Sequence, residues 1–136
     1  MNTRSNVDPI AIEILHNTFK SITDEMFVAL MKSSFSTNIK ERRDHSTTII
    51  DAKGQLIAQA DFSLPIHLGS LLGLVDTIIA RVRPEDIGEG DIYIANDPHV
   101  AGGAHFPHLH LASAVLVVGE LAGLARPIRD PADEGG

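Results

Sequence analysis

Two runs of apolar residues at helical spacing bracket segments whose apolar residues recur every second position, and this alternation of periods restricts the chain more than any other feature. Ile12, Leu15, Phe19, Ile22, Met26 and Leu30 recur at steps of three and four, which predicts an amphipathic helix of about two dozen residues. Asp8-Pro9 supplies its N-cap and a proline at the first helical position. The pattern fades at Ser33-Ser34, and Phe35 to Ile39 reads as a loop leading to the charged Lys40–Arg43 stretch. A second stripe, Leu68, Leu71, Leu72, Val75, Ile78, Ile79 and Val82, predicts a helix that Pro84 terminates and that packs on a sheet.

Between the helices, Thr47-Thr48-Ile49-Ile50 is β-branched and strand-like, and Gln55 to Ala60 is the returning strand of a hairpin. Asp51-Ala52-Lys53-Gly54 places Asp first and Gly last in a type I turn with a bulge. After a turn at Glu85–Gly90, Asp91 to Ala95 reads as a short buried strand. Leu109 to Val118 reads as a longer one that hairpins at Gly119-Glu120 into Leu121–Ala125. The predicted order is helix, two strands, helix, three strands, an α+β fold with a largely antiparallel sheet and two packed helices. The tail from Arg126 to Gly136 is polar and broken by Pro127 and Pro131, so the sheet is expected to be incomplete at its C-terminal edge. Residues 1–136 are accordingly expected to be a fragment, or to depend on another chain.

At 136 residues, 43% hydrophobic and 21% charged, the chain has the size and composition of one globular domain. A net charge of −7 with eleven scattered Lys and Arg excludes a phosphate-binding surface for nucleic acid. No run reaches membrane-spanning length, and the polar start has no apolar signal core behind it. The absence of cysteine excludes disulfides, fits a cytoplasmic location, and means that any metal site is built from nitrogen and oxygen donors.

Those donors concentrate between Ala95 and His110, where sixteen residues hold four of the seven histidines, Asp97 and the Gly102-Gly103 pair. Imidazole and carboxylate together suit zinc, manganese, iron or nickel. His105 and His108 are three apart, a helical spacing; His108 and His110 alternate on one face of a strand. Because Leu109, Leu111, Ser113 and Val115 continue the period of two, positions 108–118 are read as a strand with the histidines at its entrance and His105 in the preceding loop. Taken singly, each residue has a plainer role: Asp44 in a surface ion pair with Arg42 or Arg43, Asp97 before Pro98 as a turn former, His67 in helix-entry packing.

Several segments together resemble one family. They are Asp8-Pro9, Asn38-Ile39-Lys40-Glu41-Arg42-Arg43-Asp44-His45-Ser46, Gly54-Gln55-Leu56-Ile57-Ala58-Gln59-Ala60, Pro65-Ile66-His67-Leu68-Gly69-Ser70, and Asn96-Asp97-Pro98 followed by Gly102-Gly103. The chain is similar to the N-terminal part of hydantoinase B/oxoprolinase subunits, whose relatives include N-methylhydantoinase, 5-oxoprolinase and the acetone and acetophenone carboxylases. The resemblance implies a metal-binding subunit of an ATP-dependent hydrolase of cyclic amides. It works in a hetero-oligomer with a hydantoinase A-type partner that binds ATP and phosphorylates the small-molecule substrate. No phosphate-cradling Gly-rich motif occurs here, so ATP is expected on the partner and not on this chain.

The resemblance also implies a divalent metal (Zn, Mn or Fe) held by four positions. Asp44 matches the aspartate of the family's Arg-Arg-Asp motif, and His105 the histidine after the double glycine. His108 stands where the family has aspartate, which keeps a donor atom and changes its charge. Residues 129–136 align with the family's His-His-Ala-Asp-x-Gly-Gly motif, with Asp130 and Pro131 in place of its two histidines; Asp130 offers a carboxylate and Pro131 offers nothing. His67 is the candidate catalytic residue, orienting substrate or transferring a proton. The alternatives are a subunit of an ATP-dependent ketone carboxylase, a non-catalytic truncated interaction subunit, or a cupin-like metal barrel suggested by His108-x-His110. The last lacks the glutamate expected four or five residues on, where Ala114 and Val115 stand.

Overall fold

The computed structural model describes residues 8–97, 99 and 109–129. Helix α1 runs Pro9–Ser33, the single-turn helix α2 Thr37–Lys40, and α3 Ile66–Arg81. The strands are β1 (His45–Asp51), β2 (Leu56–Gln59), β3 (Ile92–Ala95), β4 (Leu109–Val117) and β5 (Glu120–Arg129). They form one open antiparallel sheet in the order β2-β1-β5-β4-β3. The fold is therefore α+β with an antiparallel sheet, as the alternating periods predict. Its edges are β2 and β3, and an open sheet among the described residues removes the cupin-like barrel.

The start of α1 follows the sequence reading: the Asp8 carboxylate accepts the Ile10 N–H at 3.0 Å and Pro9 opens the first turn. Its buried face does not. Ile12 and Leu15 are 52% and 53% exposed, whereas the buried residues are Thr23 and Phe27. The selection is polar. The Thr47 hydroxyl of β1 donates to the Thr23 carbonyl at 2.7 Å, and the His45 ring meets the Phe27 carbonyl at 3.1 Å. The predicted loop at 35–39 instead contains α2, which buries Ile39 completely.

β1 begins two residues earlier than its β-branched run, because His45 and Ser46 already pair with Arg129 and Ile128 of β5. The β1–β2 turn is the predicted one: Asp51 Oδ1 accepts from Lys53 and Gln55, and Gly54 has φ +83°. The largest correction concerns β5. Its four residues beyond Ala125 were expected to be a polar, proline-broken tail, yet they continue the strand to Arg129 and place it at the centre of the sheet between β1 and β4. Pro127 is accommodated where the β4 ladder lapses, between the pairs Ser113–Ala125 and His110–Ile128. A residue without an N–H is tolerated at such a gap.

β3 corrects a second expectation. Ile92 and Ile94 are 61% and 62% exposed, since β3 is an edge strand whose alternate residues point away from α3. The core lies on the other face of the sheet, where Leu74, Val75 and Ile78 of α3 pack with Ile87 over Ile50, Ala112 and Leu124. Burying each such aliphatic side chain contributes roughly 1.5–3 kcal/mol. Among the described residues no helix is long and apolar enough to cross a membrane.

The β4–β5 turn falls on Val118 and Gly119, one residue before the predicted position, and both have positive φ (53° and 81°). That is the backbone of a two-residue hairpin turn that favours Asn-Gly. A β-branched residue is disfavoured there, and Val118 is fully exposed, so packing gives nothing in return. Val118→Asn is expected to raise stability by about 0.5–1 kcal/mol in urea denaturation. In the opposite direction, a Cβ added to Gly123 would overlap the Ile50 carbonyl oxygen of the adjacent strand. Gly123→Ala is expected to lower stability by about 1–3 kcal/mol in the same assay.

Candidate functional site

Side chains on one face of β1 and its neighbours build the site. Residues paired across an antiparallel ladder share a face, so Ser46 and Thr48 lie with Ile128 and Arg126 of β5, and His110 of β4 lies with Ile128. This is the α3 face, at the end of the sheet away from the apolar core. Asp44 precedes β1 with the same parity as Ser46. It is held by its own N–H, which donates to the Asn38 carbonyl at 2.9 Å, and by a tight turn in which Arg43 adopts φ +56°.

Asp44 Oδ1 lies 3.4 Å from His67 Nε2, and its side chain is 30% exposed while that of His67 is 1% exposed. The plainer role considered for Asp44, a surface ion pair with an adjacent arginine, is not the one seen: its partner comes from α3, and Arg43 lies over the Phe62 ring, 5.6 Å from its centroid. His67 Nδ1 stands 2.8 Å from Ser46 Oγ, which also accepts the Leu64 N–H at 3.0 Å. Around this contact the chain is tied down on all sides. The His67 N–H donates to the Leu64 carbonyl, Ser63 Oγ accepts the Thr47 N–H, and Asp24 of α1 accepts the Asp61 N–H.

A second buried pair sits on the next two strands, β5 and β4. His110 and Arg126 are both fully buried, and Arg126 Nη2 donates to His110 Nδ1. Arginine has only donors, so Nδ1 is the acceptor and a neutral His110 ring carries its proton on Nε2. Burial pushes the Arg126 guanidinium down to about 9, which leaves it charged at neutral pH. His110, grouped by sequence with the metal candidates, therefore serves this pair through Nδ1.

Of the residues expected at the site, Asp44 and His67 are brought together. His105, His108 and Asp130 lie outside the described residues, and among the described residues no group of three or more His, Asp or Glu is placed to hold an ion. Asp97 is the turn former expected of it: its Oδ1 accepts the His99 N–H at 2.8 Å. Sequence reasoning did not single out Ser46, whose hydroxyl is the hydrogen-bond partner of His67 Nδ1. The signal was the period of two that puts positions 44 and 46 on one face.

The chain belongs to the hydantoinase B/oxoprolinase family, whose sequence model matches residues 8–136. A 5-oxoprolinase of Dictyostelium discoideum is 34% identical over 136 residues, covering 97% of this chain and 10% of its own length. The ATP-dependent caprolactamase from Pseudomonas jessenii superposes with a TM-score of 0.82 at 28% identity, over 96% of this chain and 22% of that one. A nucleotide-free acetone carboxylase superposes at 0.84 with 19% identity, over 96% and 17%, and shares the fold. The chain spans between 8% and 23% of the length of the relatives it matches.

His45 occupies the opposite face of β1. Its ring stacks on Phe27 with centroids 3.8 Å apart, and Nε2 donates to the Phe27 carbonyl. Desolvation by burial holds its pKa below the ordinary 6.5, against the raising effect of that carbonyl and of Asp44. As pH falls, the unfolded chain takes up the proton first. The stability that His45 contributes is thus complete above about pH 6.5 and is lost as pH falls through that value toward the lower folded pKa. His45→Phe keeps the ring stack and removes the hydrogen bond. It is expected to be about 1 kcal/mol less stable than wild type near pH 7.5, with the gap narrowing as the pH falls below about 6.5 in denaturation experiments.

Proposed function

We propose that this chain is the metal-binding part of a hydantoinase B-type subunit in an ATP-dependent hydrolase of cyclic amides. It would work in a cytoplasmic hetero-oligomer with an ATP-binding subunit of the hydantoinase A type. The observation that carries this reading is the placement of Asp44. The aspartate of the Arg-Arg-Asp motif stands just before β1, partly exposed, with its carboxylate 3.4 Å from the buried His67 imidazole of α3. 5-Oxoproline and caprolactam, from which two of the relatives take their names, are both cyclic amides. Acetone carboxylase contributes a likeness of fold, so hydrolysis is preferred to ketone carboxylation.

A carboxylate oxygen of this kind fits zinc, manganese or iron, and Asp44 would hold the ion together with His105, His108 and Asp130. When bound, a divalent ion supplies Lewis acidity toward a carbonyl or phosphoryl oxygen and activates water. The protein's part is to present the carboxylate in one orientation, with His67 acting on the same centre. The protein co-purified with its A-type partner is expected to carry one divalent ion per chain. Asp44→Ala should lower metal occupancy and ATP-dependent turnover at least about tenfold, read by elemental analysis and by hydrolysis rate; a wild type without stoichiometric metal sinks the catalytic reading.

A second reading, a non-catalytic interaction subunit, draws on Asp130-Pro131 in place of two histidines and on exposed Ile92, Ile94, Val115 and Val117 across one sheet face. Under it, wild type and Asp44→Ala show the same zero rate.

A further inference from the structure

We propose that the half of the α1 face formed by β5, β4 and β3 is a docking surface. Its occupant is an extended segment of another protein, apolar at alternate residues and flanked by Lys or Arg, which pairs along β3. The role rests on the hetero-oligomer put forward above and needs no metal at Asp44.

Strand parity defines the face. Ile92 and Ile94 of β3 pair with Ser113 and Leu111 of β4, and Val115 and Val117 continue the period of two, so these side chains share one side of the sheet. Ser113 pairs with Ala125, and Ala125 with Ile49 of β1. That puts the same side in line with His45 and Thr47, the residues that point to α1. α1 packs on β1 and β2. Past them, Ile92, Ile94, Val115 and Val117 stand 40–62% exposed, so the helix covers one half of its face and leaves an apolar half open. Contiguous exposed apolar side chains rimmed by polar ones mark interaction surfaces.

The backbone beside them is open as well. β3 ends the sheet, so its outward N–H and C=O groups have no strand partner among the described residues. Edge strands are usually protected by a charge, a proline or a bulge. Ile92-Tyr93-Ile94-Ala95 has neither charge nor proline, and its pairing with β4 is regular. Such an edge accepts an added strand, whose alternate side chains then lie beside Ile92 and Ile94.

Charge selects the occupant. Between Arg83 and Arg126 the sequence has no Lys or Arg and six acidic residues, Glu85, Asp86, Glu89, Asp91, Asp97 and Glu120. Asp91 and Asp97 flank β3, and Glu120 pairs with Val117 at the rim of the open face. A second copy docked across a two-fold axis would set this acidic margin against itself. A strand with Lys or Arg at its ends complements it. Val118, fully exposed at a backbone angle unfavourable to valine, extends the apolar strip past the β4–β5 turn. Strain of this kind persists where a contact outside the free chain uses it.

The test uses the intact protein and its co-expressed A-type subunit. Alone, the protein is expected to sediment as a monomer, with the outward amides of β3 exchanging freely with deuterium; in the complex those amides are expected to be protected. Ile94→Lys should weaken association at least about tenfold. Glu120→Lys should weaken it about threefold or more and flatten its salt dependence. Neither variant is expected to change metal occupancy. If the wild-type complex forms without protecting β3, or both variants bind as wild type does, the docking role alone falls. A dimer of the protein alone that Ile94→Lys dissociates makes a second copy the occupant and overturns the proposal. Protection of β3 in the isolated monomer overturns it too, because the chain then covers its own edge. If wild type forms no complex with the A-type subunit, the hetero-oligomer reading falls and takes the docking role with it. Wild-type exchange decides the matter even where a variant fails to fold.

Discussion

The structure depends on β1 being buried on both faces, with polar side chains doing much of the binding on each. His45 and Thr47 point to α1 and donate to the carbonyls of Phe27 and Thr23. The match is geometric: four residues of helix advance about 6 Å, and two residues of strand advance about 6.6 Å, so two successive carbonyls on one helical face meet two successive side chains on one strand face. Ser46 points the other way, to α3. A single strand therefore sets the register of both helices, and Asp44 inherits its position from that double attachment. Shifting β1 by one residue would exchange the two faces and lose both sets of hydrogen bonds together.

The α3 face of the sheet divides into two parts. Toward the β4–β5 turn it is apolar, with Ile50, Ala112 and Leu124 beneath Leu74, Val75 and Ile78. Toward the other end it carries Ser46, Thr48, His67, His110 and Arg126, all buried. Burying a guanidinium and two imidazoles costs more than burying aliphatic groups of the same volume. A fold that retains them at one end, next to a partly exposed aspartate, departs from the pattern that packing alone favours. Such departures concentrate where a protein's chemistry is done.

How much of this was legible in the sequence differs from element to element. The Asp8-Pro9 start of α1, the Asp51–Gly54 turn and the alternation of helix and strand segments were readable because local chemistry decides them. The buried face of α1 was not, since hydrophobic spacing pointed to Ile12 and Leu15 while hydrogen bonds from β1 chose Thr23 and Phe27. β5 was read too short because Pro127 and its charged neighbours imitate a tail, and only the pairing with β1 and the gap in the β4 ladder make them a central strand. At the site, Asp44 and His67 were each named from family motifs. Their contact, across 23 residues, depends on how α3 enters over β1, and nothing local encodes it. His105, His108 and Asp130 lie outside the described residues, so their part in the site rests on the resemblance.

A serine, a histidine and an aspartate in one row, the first two hydrogen-bonded and the last at ion-pair distance from the ring, invite comparison with a nucleophilic triad, and the order of the row argues against it. In such a triad the hydroxyl is the exposed end and the carboxylate the buried one, so that proton transfer runs from the hydroxyl to the ring as the oxygen attacks. Here the hydroxyl is the buried end, its oxygen already accepts a backbone N–H, and the carboxylate is the end that reaches the surface. No substrate can approach Ser46 without dismantling the turn at Leu64. What the row can offer the surface is a carboxylate of fixed orientation, and the reactions open to a fixed carboxylate are holding a cation or moving a proton, not forming an acyl-enzyme.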